Sequence, residues 1–227
     1  MAIKKKRKTY MIVGLGRFGV SMCSRLAELG AHVIAVDRNR DLVEAISDKL
    51  EYVAQIDSTD EAALVKLGAK VVDVAVVCIG EKMEDSILTT AILKELGVPR
   101  IIARAADELQ ARILYKVGAH KVILPESEMG HRIADVLENP WMNNFIGFED
   151  DKLIMGKMPI LGDMVGKTLK DLALPSKYGC TVAMIERRGK KILPNANVTL
   201  ELNDEIWVFG EREQLEPLLN SITSREE

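Results

Sequence analysis

Gly14, Gly16 and Gly19 form a GxGxxG stretch, "VGLGRFGV", with Arg17 and Phe18 between the last two glycines. That spacing suits phosphate binding. The first glycine permits a tight turn, and the second lets backbone approach a phosphate. The third lets a helix pack closely on a strand. Asp37 follows at the spacing where an acid accepts hydrogen bonds from ribose hydroxyls. Its charge disfavours a 2′-phosphate, so NADP is not the expected ligand even with Arg38 alongside. A structural glycine turn without a ligand is the plainer alternative.

Two cations sharpen the expectation. Arg17 lies inside the glycine loop and Arg104 ends an apolar run, "RIIARA". A pyrophosphate needs little positive charge beyond a helix N-terminus, so two arginines suit a polyphosphate such as ATP or ADP better. Each also reads as a surface ion pair. Asp57 and Ser58 follow a third apolar run. Cys78, Ile79 and Gly80 close a fourth, where an adenine has apolar surface to lie on. Glu126, after Pro125, can help hold a divalent or monovalent cation near phosphates. It can equally serve as a first-turn acid facing a helix dipole.

These residues need a scaffold, and the chain spells one out. Strand-like runs at 10–13, 32–37, 52–56, 74–79, 100–105 and 121–125 alternate with amphipathic stretches at 17–29, 39–50, 59–67, 84–96, 107–117 and 127–138. Gly30, Gly68, Gly97 and Gly118 sit just past four of those stretches, where a left-handed cap favours glycine. Ser58 and Glu61 have capping-box spacing at the third. Strands this apolar are covered on both faces. Six βα units in series predict an α/β fold with a doubly wound, Rossmann-type parallel sheet. Its ligand edge is the carboxyl edge, where the candidate residues lie.

The pattern changes at "ENPWMNNF" (138–145), placing a boundary near residue 140. Residues 1–140 form the nucleotide-binding domain and 141–227 a small α+β domain. In the latter, 152–160 and 204–210 read as strands and 166–172 as a short helix. Residues 180–193 read as a hairpin turning near Arg188-Gly189, and 212–222 as a closing helix. "GDMVGKT" (162–168) resembles a P-loop but has three residues between its glycines where that motif needs four.

Of 227 residues, 48% are hydrophobic and the net charge is −3, so nothing draws the whole chain to nucleic acid. The basic run Lys4 to Lys8 reads as a solvated tail, or as a weak attraction to a membrane surface. Cys23, Cys78 and Cys180 are far apart in apolar segments and read as buried thiols in a reducing cytosol. No run approaches the ~20 apolar residues of a membrane span. His32, His120 and His131 are scattered, without a nucleophile or metal-ligand company.

"VGLGRFG", "VDRN", "DSTDEAAL", "CIGEKMEDSILTT" and "LPESEMG" together resemble the RCK (KTN) domain of bacterial Ktr and Trk potassium-uptake regulators. "KYGCTVAMIERRGK" followed by "NDEIWVFG" resembles their small C-terminal TrkA-C domain. The resemblance covers nearly the whole chain and, with one copy of the pair, is to the short Ktr type. It implies a cytoplasmic regulatory subunit, peripheral on the inner face of the membrane. Such a subunit gates a potassium-translocating membrane partner, as dimers assembled into an octameric ring. It implies ATP or ADP as ligand, or NAD(H) in some relatives. By it Gly14, Gly16, Arg17 and Gly19 would hold phosphates and Asp37 and Asn39 the ribose. Asp57, Ser58, Ile79, Gly80, Lys82 and Arg104 would complete the pocket, and Glu126 would stand by a cation. Some relatives bind cyclic di-AMP in the C-terminal domain; Pro175-Ser176-Lys177 stands here where an arginine is common. The competing readings are a small NAD-dependent oxidoreductase, for which no proton-transfer residue stands out, and a redox-sensing transcription factor, for which no DNA-binding element does.

Overall fold

The computed structural model describes residues 7–80, 82–148 and 152–223. Lys4 to Lys6 of the basic run, and Glu81 of the fourth motif, lie outside them. The chain divides into two compact units, 1–129 and 130–227.

In the first unit six strands alternate with helices: β1 (Thr9–Val13), α1 (Arg17–Glu28), β2 (His32–Asp37), α2 (Arg40–Ser47), β3 (Tyr52–Gln55), α3 (Glu61–Lys66), β4 (Val74–Val77), α4 (Met83–Glu95), β5 (Ile101–Arg104), α5 (Glu108–Val117) and β6 (Lys121–Ile123). Helix α6 (Pro125–Glu138) follows, and the division between the units falls within it. The strands form one parallel sheet in the order β3-β2-β1-β4-β5-β6. This is the doubly wound order. Every residue of β4, Val-Ala-Val-Val, is buried, as expected of a central strand covered on both faces. Met11, Val13 and Val77 pack into the core on one face; Ile12, Val74 and Val76 pack into the core on the other. Period-2 alternation thus feeds both cores from the same strands.

The helix stops follow the sequence reading. Gly30, Gly68, Gly97 and Gly118 all have positive φ. The predicted capping box at Ser58 is not there. Asp60 caps α3 through Ala62 N–H and Ala63 N–H. Ser58 is buried, with its hydroxyl 2.8 Å from that of Thr89. Both residues suit a cap, and the long-range partner decides between them.

The second unit holds a five-stranded antiparallel sheet, ordered β10-β9-β11-β8-β7. Its elements are β7 (Phe145–Phe148), β8 (Leu153–Pro159), α7 (Leu169–Leu172), α8 (Leu174–Tyr178), β9 (Cys180–Arg187), β10 (Lys190–Ile192), β11 (Glu205–Glu211) and α9 (Arg212–Thr223). The hairpin β9–β10 turns at Arg188 and Gly189, both at positive φ. Asp204 is 1% exposed and is bound by Arg187 through Nε at 2.9 Å and Nη2 at 2.8 Å. Burial alone would raise the Asp204 carboxyl. The Arg187 hydrogen bond, the Glu201 N–H and the Arg187 charge outweigh burial and hold it below its ordinary range. Thr168, the last residue of the P-loop-like stretch, forms a capping box with Asp171 at α7, which gives its hydroxyl a partner without a phosphate.

Candidate functional site

The glycine loop leaves β1 beside β4, at the point where the strand order reverses. Open α/β sheets bind ligands there. Gly14 has φ +99°, and a Cβ on it would lie 3.0 Å from the Cys78 carbonyl carbon and the Ile79 nitrogen. A Cβ on Gly19 would lie 1.9 Å from the Gly14 carbonyl oxygen. A Cβ on Gly16 would meet nothing within 4 Å. The first and third glycines therefore bring backbone together, while the second faces an open approach. Helix α1 begins at Arg17, with no side chain capping its end and no acid in its first turn. Its first N–H groups and the positive end of its dipole are thus offered outward, a ready anion site.

The loop forms one wall of a cleft of about 470 Å³, within the range of small-molecule sites. Gly14, Gly16, Arg17 and Phe18 line it from the loop. Asp37 and Asn39 line it from the end of β2, and Asp57 and Ser58 from the segment after β3. Cys78, Ile79, Gly80 and Lys82 line it after β4, and Arg104 and Glu126 from β5 and α6. Gly19 alone of the expected set does not face the cleft. It is buried behind the loop, where the space its missing Cβ leaves lets α1 pack on Gly14.

Several of these residues also shape the site. Asp37 Oδ2 accepts the Leu15 N–H at 2.6 Å, and Oδ1 accepts the Asn39 N–H at 2.8 Å. Asn39 caps α2, its side-chain oxygen accepting the Asp41 N–H at 2.9 Å. A carboxylate has about four lone-pair sites, so Asp37 can brace the loop and still accept from a ribose. Asp57 accepts from the Thr59 hydroxyl and N–H. Those bonds, with the charges of Arg38 and Lys82 adding, hold it below the ordinary carboxylate range.

Arg104 and Glu126 are paired, Nη2 to Oε1 at 2.5 Å. That bond first, and the fields of Arg104 and Arg17 after it, lower the Glu126 carboxyl. The other Arg104 amine presses on Gly80, where a Cβ would fall 1.9 Å from it. Arg104 Nε is buried with no partner. Two arginines and one exposed carboxylate thus line the same cleft as the start of α1. Phosphate oxygens fit that donor set, and Glu126 is the residue that could share a cation with them. Among the described residues no group of three or more His, Cys, Asp or Glu could hold a metal ion without such a ligand. Burial pushes the Cys78 and Cys23 thiols up to about 12. The third cysteine, Cys180, is raised to about 11 by burial in the other unit. None is a thiolate nucleophile at neutral pH.

The sequence reading missed Val13, Val36, Arg38, Leu42, Ile56 and Asp85 on the wall. Four are apolar residues in strands, in a helix or, for Ile56, just past β3, and only the fold decides that they face the cleft. Arg38 Nη1 donates to Asp85 Oδ2 at 2.9 Å across the cleft rim, a pairing over 47 positions that no local pattern signals.

Sheet order and glycine loop together define a Rossmann-type domain of the nucleotide-binding class, joined to a small antiparallel domain. The TrkA-N domain matches residues 10–125, and the TrkA-C domain matches residues 159–223. The chain is 36% identical over 207 residues to the Ktr system potassium uptake protein C of Bacillus subtilis, covering 90% of this chain and 92% of that protein. It is 34% identical to the Ktr system potassium uptake protein A of Vibrio alginolyticus, covering 97% of this chain and all of that protein. The chain belongs to this family of two-domain Ktr-type potassium-uptake proteins. A GsuK channel bound to NAD shares the fold at a TM-score of 0.57 and 22% identity; it covers 99% of this chain, which spans 40% of that channel chain. GsuK bound to ADP matches 60% of this chain at a TM-score of 0.51 and 24% identity, over 35% of its own length. Among the described residues no helix is long and apolar enough to cross a membrane.

Proposed function

We propose that this chain is the cytoplasmic, nucleotide-sensing regulatory subunit of a potassium-uptake system. In this reading it binds ATP or ADP in the cleft and gates a potassium-translocating membrane subunit from the inner face of the membrane. It works as a homo-oligomer, with dimers assembling into an octameric ring, and performs no turnover of its own. One observation carries the proposal: Arg17, at the uncapped end of α1, and Arg104 line the same cleft, and the charges of both act on Glu126. That is more cationic charge than a pyrophosphate at a helix end requires, and it rewards an added phosphate.

ATP and ADP then differ in what they contact. A ligand shifts a conformational equilibrium only by its differential affinity for the two states. The γ-phosphate, with a cation at Glu126, supplies that difference. Relatives named for Ktr potassium uptake over nearly their whole length support the transport role.

The test is nucleotide binding by calorimetry, with native mass measured in ATP and in ADP. ATP and ADP should both bind, leave as unaltered nucleotide, and produce different ring shapes; equal effects on the ring would defeat the gating mechanism. NAD(H) is the second reading, favoured by Asp37 at the ribose position. Competition of NADH against ADP decides between them.

A further inference from the structure

Asp37 is not the sole guard at the ribose end of the cleft. The adjacent residue, Arg38, is the type that accommodates a 2′-phosphate when it is free to turn toward the ribose. Here it is not free. Arg38 Nη1 donates to Asp85 Oδ2 at 2.9 Å, from the end of β2 to the first turn of α4. Its backbone carbonyl accepts the Gln55 side-chain amide at 3.1 Å, tying the main chain at Arg38 to the end of β3. The charge of Asp57 lies close enough to Arg38 for the two to interact. Both members of the pair line the cleft; the Arg38 side chain is 49% exposed and that of Asp85 29%.

We infer that Asp85 is a specificity-determining residue of the nucleotide site, holding the Arg38 guanidinium away from the ribose so that the cleft rejects 2′-phosphorylated adenine nucleotides. This rests on the reading of the cleft as a nucleotide site. Two carboxylates then act against a 2′-phosphate. Asp37 opposes it by like charge at the diol, and Asp85 occupies Arg38, the cation next to Asp37 in the chain. Arg38 presents a planar fork of donors suited to phosphate. Freeing it should recover part of the lost affinity while Asp37 continues to oppose.

The experiment titrates ADP and its 2′-phosphorylated form, adenosine 2′-phosphate 5′-diphosphate, into the full chain and reads the ratio of the two dissociation constants. The wild-type protein should prefer ADP by about a hundredfold or more. Asp85→Asn should reduce that ratio about tenfold, the scale of one charge-assisted hydrogen bond in a solvent-accessible site. The double variant Asp85→Asn with Arg38→Ala should return the ratio toward the wild-type value. An unchanged ratio in Asp85→Asn overturns the assignment, as does a gain that survives removal of Arg38. Failure of the wild-type protein to bind ADP at all would instead sink the nucleotide reading, and the assignment with it.

Discussion

The Asp37 carboxylate accepts the backbone N–H of Leu15 at 2.6 Å, tying the end of β2 to the middle of the glycine loop. Leu15 is fully buried, so its N–H has no water to turn to. The residue expected to meet the ribose therefore also sets the shape of the loop that meets the phosphates. Asp37→Ala should fail in two separable ways. Orphaning that N–H should cost about 1–3 kcal/mol, read as a lower melting temperature without nucleotide. Loss of the ribose acceptor should weaken ADP further. A variant with wild-type melting and weak ADP binding would show that the bond to Leu15 contributes nothing to the loop.

Arg17 tests the counting of phosphates. It is exposed at the first position of α1, with no acid in that first turn. If Arg17 reads the outer phosphate as proposed, Arg17→Ala should weaken ATP more than ADP, by roughly tenfold against threefold, because only ATP would lose a charge-assisted bond to that phosphate. Calorimetric titration of both nucleotides measures this. Equal losses would mean that Arg17 attracts charge without reading its amount.

The glycines should separate folding from binding. Gly19→Ala places a carbon 1.9 Å from the Gly14 carbonyl oxygen, which is backbone and cannot swing aside. Overpacking of that kind costs about 1–3 kcal/mol, and melting should drop by several degrees. Gly16→Ala meets no protein atom within 4 Å, so its melting should stay near wild type. Its methyl group instead stands where a phosphate would approach, and ADP binding should fall at least about tenfold. Thermal melts of the two variants, each with and without ADP, distinguish the cases.

What the sequence disclosed, and what it hid, follows from the range of the forces involved. The six βα units were legible because β4 is wholly apolar, β1 and β2 carry apolar runs of four residues, and the helix stops are glycines with local reasons to be there. The cleft residues at strand ends were legible because the fold class itself fixes which edge binds. Strand β7 was not anticipated. It lies in "NNFIGF", where Ile146, Gly147 and Phe148 are exposed and show no alternation. It forms because β8 offers an edge and because Phe145 packs edge-on to Trp141 at 5.5 Å. Helix α8 was hidden too, being five residues long and entered through Ala173 at φ +50°. Ser58 and Arg38 gave misleading or silent local signals for one reason: their partners, Thr89 and Asp85, are 31 and 47 positions away.

The buried pair in the C-terminal unit sets an acid limit on stability. The folded-state pKa of Asp204 is depressed, chiefly because Arg187 and the Glu201 N–H overcome burial. A depressed carboxyl contributes stability above its unfolded value, about 3.9, and loses it as pH falls through the folded value. The wild-type protein should therefore hold this contribution at pH 7 and shed it below about pH 4. Asp204→Asn removes the charge at every pH and leaves Arg187 with Glu201 and the Thr199 carbonyl. Breaking a buried pair by deleting one partner costs about 3–5 kcal/mol. The remaining partners, and the 22% exposure of Arg187, place this case near the lower figure. Urea titrations between about pH 3 and pH 7 should show a large deficit for Asp204→Asn at neutrality that shrinks on acidification. A deficit constant across that range would assign the effect to packing and leave the ion pair with no share in it.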